Sequence, residues 1–184
     1  MFLRRVAARA TATAAAAAAT AALAHAHSAA RPLPAELAVD ADTDVAVENW
    51  SSTHSASPAH YFSPDSISAV QRIVTLMHEV GGRLCVAGSK LSPNGIGLSD
   101  EAMLDMAQCD AVLSIDKERM QVTVQAGARV SSVVDSLRPH GLTLQNYASI
   151  AEQQIGGFLQ VGAHGTGAGV PPVDEQVIRM VLQV

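Results

Sequence analysis

Apolar side chains recur three and four residues apart through 63–82, placing Ile67, Val70, Val74 and Met77 on one helical face. Ser63 suits an N-cap, Pro64 a first helical position, and Gly81–Gly82 a left-handed stop, so the pattern predicts a helix over this span. Residues 83–87 (RLCVA) follow as a short apolar run of strand length. The period changes to two in 111–126, where Met120, Val122, Val124 and Ala126 alternate with Gln121, Thr123 and Gln125. That alternation predicts a β-hairpin turning at 116–119, with the four apolar residues on its buried face. Helical spacing returns at 129–141 through Val130, Val133, Val134 and Leu137, and Gly141 follows its end. The run 158–163 (FLQVGA) reads as a short helix and 175–184 as a strand. Helix, strand, hairpin, helix and strand in this order predict an α+β or mixed α/β domain, and no internal repeat interrupts it.

Ahead of these elements the patterning fades. Residues 31–60 carry Pro32, Pro34, Pro58 and several acids, and they read as a linker over 36–46 leading into a domain that begins near Val47. Residues 1–35 are rich in alanine, serine and threonine and contain Arg4, Arg5, Arg9 and Arg31 without an acid. That composition fits a mitochondrial targeting segment. A secretory signal cleaved near Ala24-His25-Ala26 is the second reading, and a plain alanine tract the third.

Charge sharpens this division. The net charge is −5, yet the first 35 residues are wholly basic, so the remaining body is more acidic than the total suggests. An acidic body lacks the basic footprint that nucleic acid requires and suits a basic protein partner. Cys85 and Cys109 are the only cysteines, with no CxxC or Cys/His cluster, so neither a metal site nor a disulfide framework is expected.

Two glycine-rich stretches carry the candidate chemistry: 88–97 (GSKLSPNGIG) directly after the strand run, and 155–169 (IGGFLQVGAHGTGAG). Glycines admit a ligand close to the backbone, and exposed N–H groups attract anions. A diphosphate held between two such loops answers that pattern, and so do plain tight turns. A Walker loop, a Rossmann fingerprint and a G-x-S-x-G elbow are all absent. His164 reads as a hydrogen-bonding residue of its turn rather than a general base, since no carboxylate is tied to it by local spacing.

The stretches 88–98 (GSKLSPNGIGL), 144–157 (LQNYASIAEQQIGG), 160–169 (QVGAHGTGAG) and 171–178 (PPVDEQVI) together resemble the aldonolactone oxidoreductases, and 47–57 resembles the entry to the same domain. The resemblance runs from about Val47 onward and implies an FAD-binding domain of the vanillyl-alcohol oxidase (PCMH) type, two α+β subdomains clasping the cofactor. It implies that Gly88, Ser89, Lys90, Leu91, Ser92, Pro93, Asn94 and Gly95 line FAD on one side. Ala148, Ser149, Gly156, Gly157, Gly162, His164, Gly165 and Thr166 would line it on the other. Family members are longer, so the chain is expected to be an incomplete FAD domain without the substrate-binding cap, and no catalytic residue is assigned within it.

Three positions refine the expectation. Lys90 stands where the family has a small residue, usually glycine, which puts the loop geometry in question. Leu91 replaces a histidine that several related oxidases join covalently to the flavin, and a leucine has no nucleophile, so non-covalent FAD is expected. Ala148 occupies a position where the dehydrogenases carry alanine and the oxidases glycine, which makes it a candidate oxygen gate. The resemblance therefore implies a mitochondrial dehydrogenase that oxidises an aldonolactone to ascorbate and passes electrons to cytochrome c, in the intermembrane space or at the inner membrane. An oxygen-using lactone oxidase and a non-catalytic FAD-binding module are the alternatives.

Overall fold

A computed structural model describes residues 32–183, so the expected targeting segment lies almost wholly outside the described residues. The chain enters through a short helix α1 (Ala35–Ala38) and strand β1 (Ala41–Asp42). These lie within the stretch expected as a linker, save Ala35 at the end of the expected targeting segment. Its one large apolar side chain before Val39, Leu37, is fully buried, which ties 36–42 into the core.

Next come β2 (Val47–Glu48), β3 (Ser55–Ala56), β4 (His60–Phe62), helix α2 (Ile67–Glu79), β5 (Cys85–Ala87) and β6 (Ala102–Asp105). Strands β1, β4, β6 and β5 lie side by side in that order, β1 antiparallel to β4 and the other pairings parallel. Central β6 is buried on both faces. Ala102 and Leu104 pack with Leu37, Phe62, Ile73 and Met77 beneath α2, while Met103 joins Val47 and Ala87 on the other side. Strands β2 and β3 form a separate two-residue ladder around the turn 49–54.

Helix α2 starts three residues later than its serines suggest. Ser66, not Ser63, is the N-cap and accepts from the Ala69 N–H at 3.3 Å. Pro64 is buried, and its carbonyl accepts a bond from the Cys109 thiol at 3.4 Å, which holds 63–65 outside the helix. The buried stripe is correspondingly shifted to Ile73 and Met77, with Ile67 exposed. Replacing Ser66 by alanine is expected to lower stability by about 1 kcal/mol, against almost nothing for Ser63→Ala, as read from urea denaturation.

The second half holds the hairpin β7 (Val112–Asp116) and β8 (Gln121–Val124), helix α3 (Val130–Leu137) and helix α4 (Ile155–Gln160). The hairpin forms where its alternation predicts, with a register irregularity between Val112 and Ser114. Met120 and Ala126 are the exceptions: Met120 sits at the turn with φ 53° ahead of β8, Ala126 lies beyond its end, and both are exposed. Helix α3 buries Val130, Val133, Val134 and Leu137 as the spacing requires. Val133 and Leu137 pack on Val112, Ile115, Val122 and Val124 of the hairpin, whereas Val130 and Val134 pack on Phe158, Ala163 and Val173. Each fully buried aliphatic or aromatic side chain here contributes about 1.5–3 kcal/mol.

The expected strand at 175–184 is not formed. Residues 177–182 belong to no strand among the described residues, and Ile178, Met180, Val181 and Leu182 are exposed. Backbone donors and acceptors with no ladder to join leave β-rich sequence as irregular chain.

Candidate functional site

Parallel strands β5 and β6 end together, with Ala87 opposite Asp105, and the chain leaves each end into the same cleft. Carboxyl ends of parallel strands are where open α/β sheets receive ligands. This cleft has a volume of about 300 Å³. Gly88, Ser89, Lys90 and Leu91 form one wall, Asp105 and Ala107 the floor, and Arg129, Glu152 and Gln154 the opposite wall.

Lys90 adopts φ 55°, the left-handed region that favours glycine, so the doubt raised by its identity falls on a real backbone feature. Its ammonium lies 2.8 Å from the Asp105 carboxylate. Asp105 is nearly buried and also accepts from the Tyr61 hydroxyl and, at 2.9 Å, from the Ala107 N–H. Burial alone would raise the pKa of Asp105. The bonds from Lys90, Tyr61 and Ala107 outweigh it and hold the carboxyl below its usual range. Tyr61 moves the other way, pushed up first by burial and then by its bond to Asp105.

The rest of the first loop turns away from the cleft onto the turn 49–54. Buried Asn49 donates to the Ser92 carbonyl at 3.1 Å, the Trp50 N–H donates to the Lys90 carbonyl at 3.0 Å, and the Thr53 hydroxyl donates to the Pro93 carbonyl at 3.4 Å. Asn94 caps a 3-10 turn at Gly95–Gly97, and Gly95 lies against the His54 ring.

Residues 151–156 run beside 126–131 and are fixed by backbone bonds: Val130 N–H to Gln153 O, Ile155 N–H to Ala128 O, and Gly156 N–H to Ala126 O. This register brings 152–154, just ahead of the second glycine-rich stretch, to the first, and none of Gly156, Gly157, Gly162, His164, Gly165 and Thr166 lines the cleft itself. The Ser89 hydroxyl donates to the Glu152 carbonyl at 2.6 Å, and Gly88 sits directly against the Gln154 side chain. Both Gln153 and Gln154 leave a buried side-chain oxygen without a hydrogen-bond partner.

The remaining expected site residues fall into three settings. Gly156 packs on Ala126, whereas Gly157 faces open space, and Gly162 ends α4 at φ 57°. His164, Gly165 and Thr166 form a turn stitched to Asn146, whose carbonyl accepts from Gly165 N–H and whose Oδ1 accepts from Gly167 N–H at 2.8 Å. Ala148 is half-buried on the Val130–Phe158 cluster, with Ser149 exposed beside it. Gln154, Arg129, Asp105 and Asn49 carry no periodicity, spacing or glycine signal, and sequence reasoning passed over them. Among the described residues no group of His, Cys, Asp or Glu is placed to hold a metal, and both cysteines are free thiols.

Residues 58–182 match the FAD binding domain model, and the chain belongs to that family. It is 54% identical over 136 residues to the mitochondrial L-galactono-1,4-lactone dehydrogenase of Arabidopsis thaliana, covering 74% of this chain and 22% of that protein. Dehydrogenase 1 of the same name from Oryza sativa subsp. japonica is 53% identical, with 74% and 24% covered. The L-gulonolactone oxidase of Mus musculus is 33% identical, with 75% and 31% covered. The chain thus spans about a quarter to a third of the length of these curated relatives. Among solved structures, cholesterol oxidase from B. sterolicum superposes with a TM-score of 0.63 at 23% identity, covering 75% of this chain and 27% of that one. An alkyldihydroxyacetonephosphate synthase reaches 0.54 at 24% identity, with 60% and 21% covered. Both show the fold: an α+β FAD-binding domain of the vanillyl-alcohol oxidase type.

The cleft suits the family's cofactor. Lys90 and Arg129 bring cations to it, each paired with an acid of the same cleft, Asp105 at 2.8 Å and Glu152 at 2.5 Å, and Gln154 lines it with a buried Oε1, packed against Gly88, that no protein group satisfies.

Proposed function

We propose that this chain is the FAD-binding portion of a mitochondrial L-galactono-1,4-lactone dehydrogenase, which oxidises the lactone to L-ascorbate and passes the electrons to cytochrome c in the intermembrane space or at the inner membrane. The match to plant enzymes of that name over three quarters of the chain carries this reading. When bound, FAD supplies the two-electron redox chemistry. The protein's part is to hold and orient it. Gly88, Ser89 and Lys90 offer backbone and one cation to the diphosphate, Arg129 a second cation, and Gly157 an open approach at the start of α4. Ser92, Pro93, Asn94 and Gly95 keep the loop in shape through the turn 49–54. Ala148 is the oxygen-gating position of this reading, and Ser149 and the turn His164–Thr166 line the other side of the cofactor.

Leu91 lines the cleft and has no atom able to bond covalently to a flavin ring. Acid precipitation of the full-length protein is therefore expected to release all yellow colour to the supernatant. Given L-galactono-1,4-lactone, that protein is expected to reduce cytochrome c quickly and to release peroxide slowly. Ala148→Gly, which removes the methyl group, is expected to raise peroxide release while cytochrome c reduction continues. Rapid peroxide release by the unmodified protein would remove the dehydrogenase assignment, and failure of the lactone to reduce the flavin would remove the substrate class.

A further inference from the structure

Gln154 is 6% exposed, lines the cleft, and leaves its Oε1 without a partner. A buried acceptor in that state is normally destabilising, and folded proteins keep very few of them. Its position is nevertheless firmly built. The flanking backbone is held by Val130 N–H at Gln153 O and by Ile155 N–H at Ala128 O, both within 2.9 Å, and Gly88 leaves room for the carboxamide. A Cβ on residue 88 would stand 2.8 Å from Oε1, so that space stays available only while residue 88 is glycine.

We infer that Gln154 is a cofactor-binding residue whose Oε1 accepts a hydrogen bond from an N–H or O–H group of FAD, an inference that rests on the FAD reading of this cleft. The chemistry of the acceptor selects the portion of the ligand. At neutral pH a diphosphate offers acceptors only, whereas the ring imide, the adenine amino group and the sugar-type hydroxyls offer donors. The cations Lys90 and Arg129 suit the diphosphate, and Gln154 meets a hydroxyl or ring N–H beside it. The orphaned oxygen is then satisfied in the complex alone, so the side chain trades stability of the free protein for affinity.

Two near-isosteric apolar variants, Gln154→Met and Gln154→Leu, test this on the chain without substrate. In the ligand-free protein each is expected to raise the Tm by about 2–4 °C, because the unsatisfied acceptor is gone. In fluorescence titration each is expected to raise the Kd for FAD about tenfold, a loss of about 1.4 kcal/mol. A residue that merely supported the fold would lose stability and affinity together, so a lower Tm in both variants overturns the inference. Unchanged FAD affinity in variants of a chain that itself binds FAD overturns it while leaving the cofactor reading intact. A chain that shows no FAD affinity at all removes the cofactor reading and this inference with it.

Discussion

Gly127→Ala is expected to destabilise the protein by about 3 kcal/mol or more, enough to abolish a cooperative thermal transition near physiological temperature. A Cβ built on Gly127 falls 1.8 Å from the Met106 carbonyl oxygen and 2.7 Å from that of Cys109. Both contacts are backbone, so no side-chain rotation relieves them. The turn 106–109 must move, and it is held from both ends: Met106 N–H donates to Ala87 O, and Gly127 N–H donates to Cys109 O. Asp105, just before this turn, and Ala107, within it, form the cleft floor. Immediately beyond Gly127, Ala128 and Val130 fix 153–155 and with them the opposite wall. The crossing of these two backbones therefore sets the width of the site as well as the stability of the fold. Gly157→Ala is the control, since nothing lies within 4 Å of its added methyl group. It sits inside α4, where alanine is preferred to glycine by about 0.5–1 kcal/mol, so its Tm is expected to hold or rise. Equal Tm values for Gly127→Ala and the native protein would show that the turn 106–109 yields freely.

The contrast between these two glycines shows what the sequence makes legible. Helix α3 and the hairpin are readable because one buried face imposes a period on their residues, and the four buried positions of α3 are the four that the spacing picks out. Strand β6 is not readable. Its four residues are buried on both faces, so no alternation marks them, and Asp105 ends the run with a charge. The pairs β1, β2 and β3 are two residues long, too short for any period. Ser63 and Ser66 are chemically equal caps, and the choice between them is made by a tertiary contact, Pro64 to Cys109.

The site divides in the same way. Its one glycine-rich wall, 88–91, is visible as a breaker, and the strain at Lys90 is foreseeable from the small residue that the family carries there. Glycine content cannot tell which glycine serves a ligand and which serves the chain, and Gly162 proves to be a helix stop. The residues that give the cleft its polarity, Gln154, Asp105 and Arg129, converge from segments separated by 24 and 25 positions along the chain. Only the register of 126–131 against 151–156 and the pairing of β5 with β6 assemble them.

Asp105→Ala is expected to cost about 2–3 kcal/mol, somewhat under the usual penalty for orphaning a fully buried charge, because a quarter of the Lys90 side chain reaches solvent. The substitution strips the Lys90 ammonium of its counter-ion and the Tyr61 hydroxyl of its acceptor in one step. Lys90→Gly removes the cation and also relaxes a left-handed backbone angle that costs a non-glycine residue about 1–2 kcal/mol. In the double variant no ammonium is left unpaired, so it is expected to be more stable than Asp105→Ala alone. Urea denaturation of the four proteins measures this coupling, and strictly additive losses would mean that the pair contributes nothing. The pH dependence provides a second check. The folded carboxyl titrates below its unfolded value of about 3.9, so its stabilising effect is complete above that pH and is lost as the pH falls through the folded value. Native protein is therefore expected to lose stability on acidification below about pH 4 more steeply than Asp105→Asn, which carries no titrating group at this position. Because Lys90 and Asp105 join the loop wall to the cleft floor, the same acid step is expected to weaken FAD binding, and Asp105→Asn to weaken it already at neutral pH. Parallel acid profiles for the two proteins would leave the loop anchored by the turn 49–54 and by the Ser89 hydroxyl on the Glu152 carbonyl.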